Sequence, residues 1–191
     1  EEGEVAAAKP PVVAAAFAGS KQQTKEPVQK HLYELEPEDF AAAMIKDVFD
    51  EVLTTQKVPT ICYLQPSPPK ASQKEEPALS GIGIEHAFNT PQSLANCLDF
   101  LRKHASEHAA RSAMVVVRKS QIGYPQVWKG KPNGVWKFGE QCDGIFMQLD
   151  CTGARAVFFT VIEKDQTGKL TFGDTAQIDA EEFSLFPPIF D

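Results

Sequence analysis

Two histidines four residues apart, with an acid between them, make the sharpest catalytic pattern in this chain. His104-Ala105-Ser106-Glu107-His108 reads H-x-x-E-H, a spacing in which two imidazoles one helical turn apart hold zinc beside an acidic base. Cys97 precedes His104 by seven residues, which brings it back to roughly the same helical face. Such a centre also needs a remote carboxylate, and only Glu181 and Glu182 stand at a plausible distance along the chain. The neighbours Lys103, Ser106, Ala109, Ala110 and Arg111 instead read as a solvated last helical turn, where the dipole favours histidine and cations. This structural reading is preferred, so no catalytic residue, metal or cofactor is assigned, and a small zinc metallohydrolase centred on His104, Glu107 and His108 stands as an alternative function.

A second constellation is basic and aromatic. Between His108 and Gly139 stand Arg111, Arg118, Lys119, Lys129, Lys131 and Lys137, interleaved with Tyr124, Trp128, Trp136 and Phe138, and without Asp or Glu. The whole chain carries a formal charge of −7, so its remainder stands at −13. Segregated charge of this kind describes a partner. In an alternating hairpin Tyr124 and Trp128 share one face, as do Trp136 and Phe138. Exposed, these rings and cations would suit single-stranded nucleic acid. Buried, the rings are core, and Lys129, Lys131 and Lys137 remain a docking surface for an acidic protein. The binding residues assigned from sequence are therefore Arg118, Lys119, Tyr124, Trp128, Lys129, Lys131, Trp136 and Lys137.

Other chemistries find no footing. There is no Gly-x-Ser-x-Gly, P-loop or dinucleotide fingerprint, and Gly81-Ile82-Gly83 lacks a third glycine, reading as a turn before a helix. Glu75-Glu76 and Glu181-Glu182 sit in polar contexts without the apolar pocket that raises a carboxyl pKa. Four cysteines, Cys62, Cys97, Cys142 and Cys151, form no CxxC pair and read as reduced thiols, with one optional disulfide between Cys142 and Cys151.

The elements that must position these residues follow from periodicity. Residues 1–30 are rich in Ala, Pro, Lys, Gln and Glu and lack an apolar stripe, so they are expected to form a disordered or extended arm. Ala16-Phe17-Ala18 has a peptidase-like form, but Glu1, Glu2 and Glu4 are wrong for a secretory leader. A processed organellar transit segment is the alternative. The 191-residue chain then holds one domain over 31–191. Glu36-Pro37-Glu38-Asp39 opens a helix with rows Met44, Val48, Val52 and Ile45, Phe49, Leu53. Residues 60–64 read as a strand and 65–77 as a Pro-rich exposed loop. Thr90 caps a second helix reaching about 110, with Leu94, Leu98, Leu101 and Ala105 inward. Six strand signals follow between 113 and 172, including a hairpin over 123–138, and Asp179 and Glu182 have capping-box spacing for a short helix before Pro187-Pro188.

The fold class expected is α+β: two main helices packed on a mostly antiparallel C-terminal β-meander, with an extended N-terminal arm. No apolar run approaches the roughly 20 residues of a membrane span. The function expected is that of a non-catalytic interaction or assembly subunit. It would dock other protein subunits with acidic surfaces through its arm, its Pro-rich loop, its basic hairpin and an aromatic tail over 183–190. Nucleic acid is the alternative partner, and the compartment expected is cytoplasm or organellar matrix.

Overall fold

The computed structural model describes residues 31–69, 77–123, 142–181 and 183–190. The expected arm, residues 70–76 of the Pro-rich loop and the expected hairpin beyond Gly123 lie outside these. After a 3-10 turn at Leu32–Glu34, helix α1 (Pro37–Thr55) begins as its sequence dictates. Glu36 is the N-cap, Pro37 occupies the first turn where an N–H would find no partner, and Glu38 and Asp39 face the positive end of the dipole. Met44, Ile45, Val48 and Val52 are buried, Phe49 is half-buried, and Leu53 is 50% exposed. The helix stops at Gln56, whose left-handed backbone (φ 60°) closes the last turn.

Strands β1 (Ile61–Gln65), β2 (Ser80–Gly83), β3 (Ser112–Arg118), β4 (Gly144–Cys151), β5 (Ala154–Lys164) and β6 (Leu170–Ile178) form one antiparallel sheet in the order β2-β1-β3-β4-β5-β6. Helix α2 (Pro91–Glu107) crosses from β2 to β3, its N-terminus capped by the Thr90 hydroxyl, which accepts from Ser93 N–H at 3.1 Å. The register assigns every side chain to a face. Cys62 lies opposite Val115, Val117 opposite Phe146, and Phe146 opposite Phe159. These form one face, covered by Leu98, Leu101 and Ala105 of α2 and by Phe183, Leu185, Phe186 and Ile189 from the C-terminal segment. The alternate residues Met114, Val116, Ile145 and Met147 make the other face, against which α1 packs, with Phe49 stacked on Phe172 of β6 at 4.2 Å. The α+β class with a C-terminal meander is thus present, and the two helices flank the sheet.

Four local expectations differ. Residues 80–83 are an edge strand rather than a turn, because β1 offers them a free ladder edge; Ile82 lies opposite Cys62, and the two exposed glycines sit under Ile61 and the Glu85 carboxylate. Strand β6 runs past residue 172 to Ile178, after an irregularity between Thr160 and Ile162 that shifts its register and blurs its alternation. No helix starts at Asp179. Its carboxylate accepts from Glu181 N–H and its carbonyl from Phe183 N–H, which makes one turn that does not propagate. The aromatic tail packs on its own sheet instead of projecting outward.

The Pro-rich segment also begins inside the fold. Gln65 is fully buried at the end of β1, its Nε2 donating to Leu32 and Leu35 carbonyls (both 2.8 Å) and its Oε1 accepting from Ser112 Oγ. Pro66 is buried too, and Ser67 Oγ donates to the Ala109 carbonyl. Gln65 therefore fastens the entry to α1 onto the sheet. Among the described residues no helix is long and apolar enough to cross a membrane.

Gly144 opens β4 where a side chain has no room: an added Cβ would meet the Phe159 ring and stand 2.7 Å from the Thr160 carbonyl oxygen. Gly144→Ala is expected to lower stability by about 1–3 kcal/mol, read as a lower urea midpoint at unchanged m-value.

Candidate interaction surface

The connection from β3 to β4 carries most of the basic, aromatic residues, and its two ends are tied together. Arg118, the last residue of β3, donates from Nε (2.9 Å) and from its second terminal nitrogen (2.5 Å) to one Asp143 carboxylate oxygen. Lys119 Nζ donates to the Cys142 carbonyl at 2.7 Å, and Asp143 Oδ1 accepts from Gly144 N–H at 2.9 Å. The pair is about one-third exposed on both sides (28% and 34%), which keeps it less screened than a fully solvated one. These bonds form a neck between the end of β3 and the residues that precede β4.

Of the binding residues assigned from sequence, Arg118 and Lys119 belong to this neck, and the structure gives both a positioning role. Tyr124, Trp128, Lys129, Lys131, Trp136 and Lys137 lie outside the described residues. Arg111, from the same basic stretch, donates to the Tyr33 carbonyl at 2.9 Å and helps Gln65 hold the turn before α1.

The H-x-x-E-H residues do come together. His104, Glu107 and His108 place one ligand atom each within 4.8 Å of one another at the C-terminal end of α2. His108 Nδ1 lies 2.9 Å from the His104 carbonyl, which leaves its Nε2 outward, and His104 Nε2 lies 3.4 Å from Ser80 Oγ. The imidazoles stack at 4.0 Å with a 30° interplanar angle. Ring lone pairs lie in the ring plane, so stacked imidazoles send them side by side, whereas tetrahedral zinc needs them to converge on a point about 2.0–2.1 Å from each nitrogen. Glu107 also faces Lys103 Nζ at 3.9 Å. Cys97 shares the helical azimuth but stands two turns, about 10 Å, away, and packs against the core. Glu181 borders a different cavity, beside Asp150, and Glu182 lies outside the described residues. The cluster supplies three ligand atoms in a resting geometry of stacked rings.

Nor is any described thiol with a shifted pKa activated. Burial pushes Cys62 far up, and the Cys97 thiol to about 11. Burial and then the nearby Asp150 charge raise Cys151. All four cysteines are free, and Cys142 and Cys151 flank the length of β4, about 30 Å apart at strand rise. The optional disulfide is therefore ruled out by geometry.

Sequence reasoning missed a group of buried polar side chains. Gln148 and Asp150 of β4 are both fully buried, and they share a face with Phe146, Val115 and the register partner of Asp150, Arg155. The signal was present: two polar residues fall on the core-facing positions of an otherwise apolar strand. Burial raises the Asp150 carboxyl pKa, against lowering by the Ile189 amide, Arg155 and Arg102.

No known protein family, curated protein or solved structure matches the chain. Geometry alone bears on function.

A thiol with a pKa near 11 is only about one part in a thousand ionised at pH 8. Native Cys97, although half-buried, is expected to alkylate with iodoacetamide at least 100-fold more slowly than in urea. Cys62 is expected to label only after unfolding. Peptide mass spectrometry over a time course reads both, and rapid native labelling of Cys97 would show a thiolate.

Proposed function

We propose that this chain is a non-catalytic interaction subunit that docks an acidic protein surface through the basic, aromatic connection between β3 and β4. The neck supports this reading. Arg118 and Lys119 are engaged in joining the end of β3 to the residues before β4. Within it Lys129, Lys131 and Lys137 have no Asp or Glu among residues 120–139 to neutralise them, on a chain whose formal charge is −7. A connection this long is seldom mere linkage. Like charges this close in sequence, with no acid among them, steer a partner of opposite sign. The raised thiols and the stacked histidines favour binding over catalysis. The N-terminal arm and the Pro-rich segment would add contact area in the same assembly.

Engagement of both neck cations within the fold favours a protein partner over nucleic acid, since a phosphate-binding reading relied on Arg118 and Lys119 as well. Zero-length amine-to-carboxyl cross-linking of the protein in its native assembly is the test. Lys129, Lys131 and Lys137 are expected to join Asp or Glu of another protein, and Lys→Glu at all three is expected to abolish those links and the association. Cross-links confined to this chain, or ultraviolet cross-links from Trp128 and Trp136 to RNA, would overturn the reading.

A further inference from the structure

The C-terminal end of α2 is pinned where helix ends commonly fray, and it carries the three ligand atoms of His104, Glu107 and His108 within 4.8 Å of one another. His108 N–H donates to the His104 carbonyl (3.1 Å), Ala109 takes a left-handed backbone (φ 48°), and Ala110 N–H reaches back to the Ala105 carbonyl at 2.8 Å. Ser67, from the segment after β1, donates its hydroxyl to the Ala109 carbonyl. The backbone beneath both imidazoles is therefore held, and what remains free is side-chain rotation.

The two rings are held unequally. A carbonyl oxygen can only accept, so His108 Nδ1, 2.9 Å from the His104 carbonyl, carries the ring proton and leaves Nε2 with the lone pair. Metal-binding imidazoles are set in this way, the second nitrogen donating to a carbonyl that fixes tautomer and ring orientation. His104 is held more loosely, its Nε2 meeting Ser80 Oγ at a long 3.4 Å. Stacked as they lie, the rings do not converge, but χ2 of histidine is a broad torsion that turns at little cost. Turning His104 gives up the long contact and leaves the His108 bond whole. Glu107 is exposed, and its 3.9 Å pair with Lys103, open to solvent on both sides, holds it weakly.

The surroundings suit a cation. The last turn of a helix carries partial negative charge. Beside it a cavity of about 390 Å³, bordered by Glu107, His108, Ser80, Pro66 and Pro68, leaves room for the water that completes a three-ligand shell. Two imidazoles and a carboxylate select borderline ions such as Zn²⁺ and Cu²⁺ over Mg²⁺ and Ca²⁺, which take oxygen ligands.

We propose that His104, Glu107 and His108 form a surface site for a divalent transition-metal ion, with His108 as the preset ligand, His104 as the ring that turns, and water in the remaining position. With Glu107 taken as a ligand the motif lacks its acidic base, so the assignment is binding rather than hydrolysis. The site uses no residue between β3 and β4, and it stands or falls separately from the docking surface proposed above.

Calorimetric titration of the intact chain with Zn²⁺ tests it. One ion per chain is expected, displaced by Cu²⁺ and undisturbed by excess Mg²⁺. His104→Ala and His108→Ala are each expected to weaken binding by about tenfold or more, whereas His86→Ala leaves it unchanged. Co²⁺ in place of Zn²⁺ is expected to give no thiolate charge-transfer band, which separates this site from the four free cysteines. In ¹⁵N spectra of the Zn²⁺-loaded chain, the His108 ring is expected to bind through Nε2 and keep its Nδ1 proton. That reading needs no variant, so it decides the question even where a substitution lowers stability. Absence of binding, equal binding by the chain lacking both histidines, or a thiolate band would overturn the proposal.

Discussion

Strand β4 imposes the constraint from which the rest of the architecture follows. All eight of its residues are buried, and both of its edges are used, by β3 on one side and β5 on the other. A strand with no solvent face needs a layer above and a layer below. Helix α1 supplies one, with Phe40, Met44, Ile45 and Val48; helix α2 and the C-terminal segment together supply the other. Neither layer alone would leave the sheet covered. The three-layer arrangement is thus a consequence of how apolar residues 144–149 are, and of Gly144 allowing Phe159 to lie across the strand's first residue.

The two layers use different chemistry. The α1 side is closed mainly by aliphatic packing, with Gln65 and Arg111 fastening only its entrance. The α2 side is half helix and half irregular chain, and irregular chain brings unpaired amides and carbonyls that must be satisfied. Gln148, Asp150, Arg155 and Arg102 meet that demand. Each polar residue in this core answers a particular backbone atom, which is why the polar interruptions of an apolar strand carry more information than the apolar residues around them.

The helices and most strands were legible because their signals are local. Pro37 and Thr90 act on the next few residues, and the rows of α1 and α2 repeat within a few turns. The edge strand at 80–83 was not legible, because two glycines and an isoleucine acquire strand character only from the ladder that β1 extends to them. The extension of β6 to Ile178 was hidden by a register shift whose cause lies in its pairing with β5. At the sites, spacing did bring His104, Glu107 and His108 together, but ring stacking is a property of rotamers that spacing leaves open. The grip on the C-terminal segment went unread because it joins residues more than thirty positions apart in the chain.

The left-handed cap of α1 reaches further than its local role. Gln56 Oε1 accepts from Leu170 N–H at 2.5 Å across 114 positions of sequence, and Phe49 meets Phe172 nearby. Helix α1, which also packs on β3 and β4, therefore completes its seat only when β6 is in place. Antiparallel β3 to β6 can assemble from neighbours, whereas the contact of α1 with β6 joins residues 114 positions apart, a pairing that costs loop-closure entropy before it returns any contact.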